Sequence, residues 1–160
     1  MKELEIRIPV QVYEDIEQLT EADQELLQLA KKSVEKSHAP YSQFHVGAAV
    51  RLANGELLGG ANHENAAYPM CLCAERSVLA AAHTTAPKVA VDTIAITAKT
   101  PKRIIDEPIS PCGACRQVIL EFEDRFDQSM RIILQGETGP IYILQSGKDL
   151  MPLSFGRTQL

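Results

Sequence analysis

Cys71-Leu72-Cys73-Ala74-Glu75-Arg76 and, further along, Pro111-Cys112-Gly113-Ala114-Cys115 are the stretches around which this chain is organised. Cys112 and Cys115 stand three apart, so a helix beginning here projects both sulfurs from one face of its first turn. Cys73 opens a second helical run, Ala74 to His83, and can supply a third sulfur. Helix N-termini stabilise anionic sulfur through their dipoles and free N–H groups. Three thiolates held close together suit one zinc ion, whose tetrahedral shell takes sulfur at about 2.3 Å.

Glu75 decides what kind of site this is. A closed structural site needs a fourth Cys or His, and the nearest candidate, Cys71, sits two residues from Cys73, an awkward spacing for one helix face. A catalytic site needs three protein ligands, one open position and a general base that is not itself a ligand. Glu75, two residues past Cys73, is rotated off the ligand position yet stays within reach of a water. Cys71 reads as a small buried hydrophobe. The rival from another class is a non-enzymatic zinc module that binds a protein partner, and it requires Cys71 as a fourth ligand.

Composition narrows the choices. The chain has 160 residues, 45% of them hydrophobic, which suits one domain with a sizeable core. The net charge of -5, with no Lys/Arg cluster, argues against a nucleic-acid groove and for a small free substrate. No apolar run approaches the roughly 18 residues of a membrane span, and Met1-Lys2-Glu3-Leu4-Glu5 is too charged for a signal peptide. A cytoplasmic protein is expected, in which four cysteines mean metal or catalysis more often than disulfides.

Residues 1–20 read as an extension, with Leu4, Ile6, Ile8 and Val10 alternating as in a half-buried strand, and residues 21–160 as the catalytic domain. Thr20 and Asp23 start a helix of about 22–37, stopped by Pro40. Asn54-Gly55 joins strands Val46–Leu52 and Glu56–Gly60 as a hairpin. After the Cys73 helix come a buried strand at Val91–Ala98, the Cys112 helix, and strands at Met130–Leu134 and Ile141–Leu144. This order predicts a three-layer α/β/α sandwich on a mixed five-stranded sheet.

Cys73-Ala74-Glu75-Arg76 with Ser110-Pro111-Cys112-Gly113-Ala114-Cys115-Arg116-Gln117 resembles the cytidine deaminase family in its small three-cysteine form. The likeness extends through Tyr41–Ala49, Gly60–Tyr68 and Leu150–Gly156. It implies hydrolytic deamination of cytidine and deoxycytidine to uridine and deoxyuridine, in pyrimidine salvage, with one zinc per chain on Cys73, Cys112 and Cys115 and Glu75 as the proton carrier. It also implies that Arg76 donates to a ligand sulfur, that Asn62 and Glu64 hold a ribose hydroxyl, and that Phe44 stacks on the base. Backbone groups near Ala74 and Ser110 would hold the pyrimidine edge. Phe155 would reach a site on an adjacent subunit of a homotetramer, with Tyr68 near a subunit contact, while Arg116 is a second candidate for a sulfur contact. His63, between Asn62 and Glu64 on an extended segment, would point the other way. A deaminase of modified aminopyrimidine nucleosides, such as a blasticidin-type antibiotic, shares the zinc core; the Asn62/Glu64 pair with Phe44 and Phe155 favours an ordinary nucleoside.

Overall fold

Thr20 begins the first long helix: in the computed structural model, which describes residues 1–160, its hydroxyl accepts the Asp23 N–H at 3.2 Å. The helix, α1, runs Glu21–Ser33 and continues as a 3-10 turn over Val34–Lys36, short of Pro40. Its buried stripe contains Leu26, Leu27 and Ala30. Strands β2 (His45–Leu52) and β3 (Leu57–Ala61) form the hairpin, whose turn uses Gly55 at φ 88. Helix α2 (Ala74–Thr85), β4 (Val91–Lys99), α3 (Gly113–Phe126), β5 (Arg131–Leu134) and β6 (Ile141–Leu144) follow.

The sheet has six strands, one more than the sequence predicts. The addition is β1, Gln11–Tyr13, which pairs antiparallel with β6 and gives the order β1-β6-β5-β4-β2-β3. Residues 4–10, where the alternation suggested a strand, carry none. Register explains the shift: Gln11 pairs with Ile143, and β6 ends at Leu144, where the chain turns into a 3-10 helix at Gly147–Leu150. Residues before Gln11 therefore find little backbone to bond, and Pro9 has no N–H to offer.

Alternation along the strands divides the interior into two layers. Ala49, Ala95, Ile133 and Ile141 pack with Leu26, Leu27 and Ala30 of α1. Ala48, Ile94, Ile96, Ile132 and Leu134 pack with Val78 and Leu79 of α2 and Ile119 of α3. Each fully buried aliphatic side chain contributes roughly 1.5–3 kcal/mol. Close approach matters at Gly60, where a Cβ would lie 2.9 Å from the Val78 backbone nitrogen; its absence lets α2 settle on β3.

Two buried carboxylates tie elements together. Glu123 of α3 accepts the Met130 and Gly147 N–H groups at 2.7 and 2.8 Å and the Ser146 hydroxyl at 3.0 Å. Asp23 of α1 takes both guanidinium N–H groups of Arg131 on β5 at 3.0 Å, with Arg51 of β2 at 3.7 Å. Burial would raise the Asp23 carboxyl, but the hydrogen bond and charge of Arg131, the Thr20 hydroxyl and the charge of Arg51 outweigh it and hold the group below its usual value.

A depressed carboxylate contributes stability that is present above its unfolded pKa of about 3.9 and is lost as pH falls through the lower folded value. Asp23→Asn is expected to cost on the order of 2 kcal/mol at neutral pH, less than the ~3–5 kcal/mol of a fully buried pair, because the Arg131 side chain keeps 32% of its exposure. Urea unfolding at pH 7 and at pH 3 checks this: the gap between wild type and variant should narrow in acid, and a gap that is constant with pH would refute the assignment.

Candidate active site

Cys73 is the N-cap of α2 and Cys112 the N-cap of α3, with Cys115 at the third helical position beyond it. An N-cap has extended backbone and precedes N–H groups with no helical partner, so all three sulfurs lie in the favourable field of a helix start. The Cys112 and Cys115 sulfurs are 3.4 Å apart, and those of Cys73 and Cys112 are 3.9 Å apart. All three fall within 4.8 Å of one another. Sulfurs at the vertices of a tetrahedron around zinc are separated by about 3.8 Å, so this donor set fits one ion with little movement.

The charge state of the cluster follows from its contacts. A hydrogen bond from Cys115 brings the Cys73 thiol down to about 6, against burial and the charge of Glu75, with further help from Cys112 and Arg76. Cys115, whose proton serves Cys73 and which is itself buried, is pushed up. The three sulfurs are already gathered, so a cation takes a preassembled site.

Glu75 is the second residue of α2 and only 4% exposed. Burial raises its carboxyl above the ordinary value, opposed by its own backbone N–H, Cys115 and Arg76. A carboxyl moved in that direction holds a proton more readily than an ordinary one and can return it.

Glu75 and Cys73 border a cavity of about 370 Å³, within the range of small-ligand pockets, together with Phe44, Asn62, Glu64 and Ser110. Asn62 Oδ1 accepts the Ser37 hydroxyl at 2.6 Å and the Val46 N–H at 2.8 Å, and Nδ2 donates to the Phe44 carbonyl at 2.9 Å. One Nδ2 hydrogen is left over. Glu64 Oε2 accepts the Tyr41 and Ser42 N–H groups at 2.8 and 3.1 Å, and Oε1 is unused. The Ser42 hydroxyl foremost, then these N–H groups and His38, hold the Glu64 carboxyl low, so it stays ionised. The pair thus presents one free donor and one free acceptor to the same cavity, a combination that fits a hydroxyl.

Other positions depart from the sequence reading. Cys71 is half-buried in the cavity wall, its sulfur accepting the Asn65 N–H at 3.3 Å, and it stands outside the three-sulfur cluster. His63 also borders the cavity, and its backbone exchanges two 3.0 Å hydrogen bonds with Leu72. Arg116 does not approach a sulfur: it donates to the Pro111 and Leu150 carbonyls at 2.8 and 2.9 Å, strapping the C-terminal segment to α3. Arg76 makes no hydrogen bond and acts on Cys73 through its charge. Ala74 is buried as the first residue of α2, where its N–H has no helical partner. Phe155 is 60% exposed and lies away from the cavity of its own chain. Tyr68 is exposed too, edge-on to Tyr41 with ring centroids 5.8 Å apart.

Sequence reasoning missed Ser37, whose hydroxyl also meets His45 Nδ1 at 3.1 Å, and Lys102, which donates to the Ser42 carbonyl at 2.7 Å. Nothing local marks either residue, since both act across long separations. Gln43 takes a left-handed φ of 58 between Ser42 and Phe44, two residues that border the cavity.

Residues 20–126 match the family model described as the cytidine and deoxycytidylate deaminase zinc-binding region. The chain belongs to this deaminase family. It is 37% identical over 137 residues to a cytidine deaminase of Sporosarcina psychrophila, covering 86% of this chain and 93% of that one. A cytidine deaminase of Halalkalibacterium halodurans is 42% identical over 98 residues, 61% of this chain and 70% of its own. Among solved structures, the cytidine deaminase of Burkholderia pseudomallei superposes with a TM-score of 0.72 at 36% identity, covering 86% of this chain and 100% of that one. The Burkholderia pseudomallei structure shares this chain's fold. No helix here is long and apolar enough to cross a membrane.

Metal content tests the cluster. Cys112→Ser and Cys115→Ser are expected to weaken zinc binding by more than about 100-fold, since loss of outer-sphere contacts alone costs about 10–100-fold. Cys71→Ser should keep one zinc per chain. Elemental analysis after competition with a chelator measures both, and equal zinc in all three variants would refute the ligand set.

Proposed function

We propose that this chain hydrolyses the exocyclic amine of cytidine and deoxycytidine, giving uridine and deoxyuridine with ammonia, in cytoplasmic pyrimidine salvage. The observation that carries the reading is a buried carboxyl, Glu75, bordering the same nucleoside-sized cavity as Cys73 and Cys112 of the sulfur cluster. Family membership and relatives described as cytidine deaminases support it.

Zinc, held by Cys73, Cys112 and Cys115, supplies Lewis acidity that makes water nucleophilic at neutral pH. Glu75 accepts a proton from the attacking water and delivers it to N3 of the ring, which makes C4 electrophilic. The same carboxyl then carries a proton to the departing amine, so one water is consumed and one ammonia released. Phe44 offers a flat wall to the pyrimidine. The spare Nδ2 hydrogen of Asn62 and the free Oε1 of Glu64 hold a ribose hydroxyl. Ala74 N–H, at the start of α2, and the Ser110 backbone meet the polar edge of the base. Arg76 offsets the negative charge of the thiolates.

In this reading Phe155 enters the site of a neighbouring subunit in a homotetramer, which its exposure on a C-terminal segment strapped down by Arg116 and Gln117 supports. Residues 21–160 form the catalytic domain in this reading, and residues 1–20 an addition to it.

Loss of ultraviolet absorbance on mixing with cytidine, with zinc assayed on the same sample, tests the reaction. Glu75→Gln is expected to retain zinc and lose at least about 100-fold in kcat. Phe44→Ala should raise KM roughly tenfold, the scale of one base–aromatic stack. Full turnover in Glu75→Gln, or zinc-loaded wild type inert toward both nucleosides, would overturn the proposal.

A further inference from the structure

Leu4, Ile6, Ile8, Val10 and Val12 occupy every second position of the N-terminal segment, and all lie between 40% and 79% exposed. Tyr142, opposite Val12 in the β1–β6 register, extends the strip at 36% exposure. Strand β1 is terminal in the sheet order, so its outer backbone edge has no partner. An open edge beside an apolar strip invites strand addition. The strip lies outside the shared domain, because the family match begins at residue 20.

Charge identifies the occupant. The alternate positions carry Glu3, Glu5, Arg7, Pro9 and Gln11. Glu5 and Arg7 already face one another within the chain at 2.9 Å, both well exposed. Two copies paired antiparallel about Ile6 set Glu5 of one against Arg7 of the other, twice, while Leu4 meets Ile8 and Ile6 meets Ile6. A centre at Arg7 sets like charges against each other, as does parallel pairing in register, and a centre at Glu5 sets Glu5 against Glu5 and so loses part of what its two Glu3–Arg7 pairs gain. With the even positions as the hydrogen-bonded pairs, Pro9 falls where no N–H is required. We infer that residues 3–9 form a two-fold antiparallel strand pair with the same segment of a second copy of this chain. This contact is separate from any made by Phe155 and independent of the reaction assigned to the cavity.

Cysteine cross-linking of the full-length, zinc-loaded chain reads the register directly. Ile6→Cys should shift from one-chain to two-chain mass on a non-reducing denaturing gel after mild oxidation, because paired Cα atoms lie about 4.5–5.5 Å apart, within disulfide reach. Leu4→Cys and Ile8→Cys should each fail to shift alone, since identical residues are then about 13 Å apart, four residues of strand. Mixed together, those two variants should shift. Wild type, with its four native cysteines, is the control. These positions are exposed, so the substitutions leave the core intact. No shift with Ile6→Cys above wild type would overturn the inference. So would equal shifts from all three single variants, which would mean random encounter, and a mixed sample that fails to cross-link would refute the register.

Discussion

The parallel pairing of β4 with β5, Thr93 with Arg131 through Ile96 with Leu134, is the constraint from which the site follows. Parallel neighbours need a crossover, and here it is α3, so the start of α3 lies beyond the carboxyl end of β4. Helix α2 leads into the opposite end of β4, and since it packs on the same side of the sheet, its own start is returned to that carboxyl end. Two N-termini therefore meet at one place. Every other pair in the sheet is antiparallel, and none of those would bring the sulfurs of Cys73, Cys112 and Cys115 together.

The same meeting point sets the electrostatics. Helix dipoles favour anionic sulfur, and three thiolates would crowd negative charge around Glu75. Glu75 is almost wholly buried and its carboxyl raised, beside the equally buried Cys115, while Cys112 is exposed and Cys73 half-exposed. Glu64, on the opposite wall, is kept ionised by backbone N–H donors and the Ser42 hydroxyl. Two carboxylates bordering one cavity are thus biased in opposite directions by their surroundings, one suited to moving a proton and the other to accepting a hydroxyl hydrogen.

Features legible in the sequence were those with short-range causes. The Thr20 cap, the Asn54-Gly55 turn, the two cysteine-headed helices and the all-apolar Ile141–Leu144 strand each follow from neighbours within a few residues. The three-layer architecture follows from their order. The sixth strand was not legible, because its position depends on where β6 stops; the alternation at residues 4–10 is real but has no partner within the chain. Arg116 was misjudged for a similar reason: its adjacency to Cys115 is local, while its actual acceptor, the Leu150 carbonyl, arrives from a distant segment. Cys71 took an unexpected place in the cavity wall, next to the bridge between His63 and Leu72, a long-range contact that alternation along one strand does not express.

Glu123 gives the far end of the chain an unexpected standing. It is a buried carboxyl with no cation in hydrogen-bond reach, satisfied by N–H and hydroxyl donors, two of them on Ser146 and Gly147 just past the last strand. Remove those donors and buried polar oxygens are left without partners inside the domain. The turn after β6 is therefore a keystone for α3: the helix that carries Cys112 and Cys115 is held by a segment beyond the last strand, which couples the sulfur cluster to a part of the chain that never touches it.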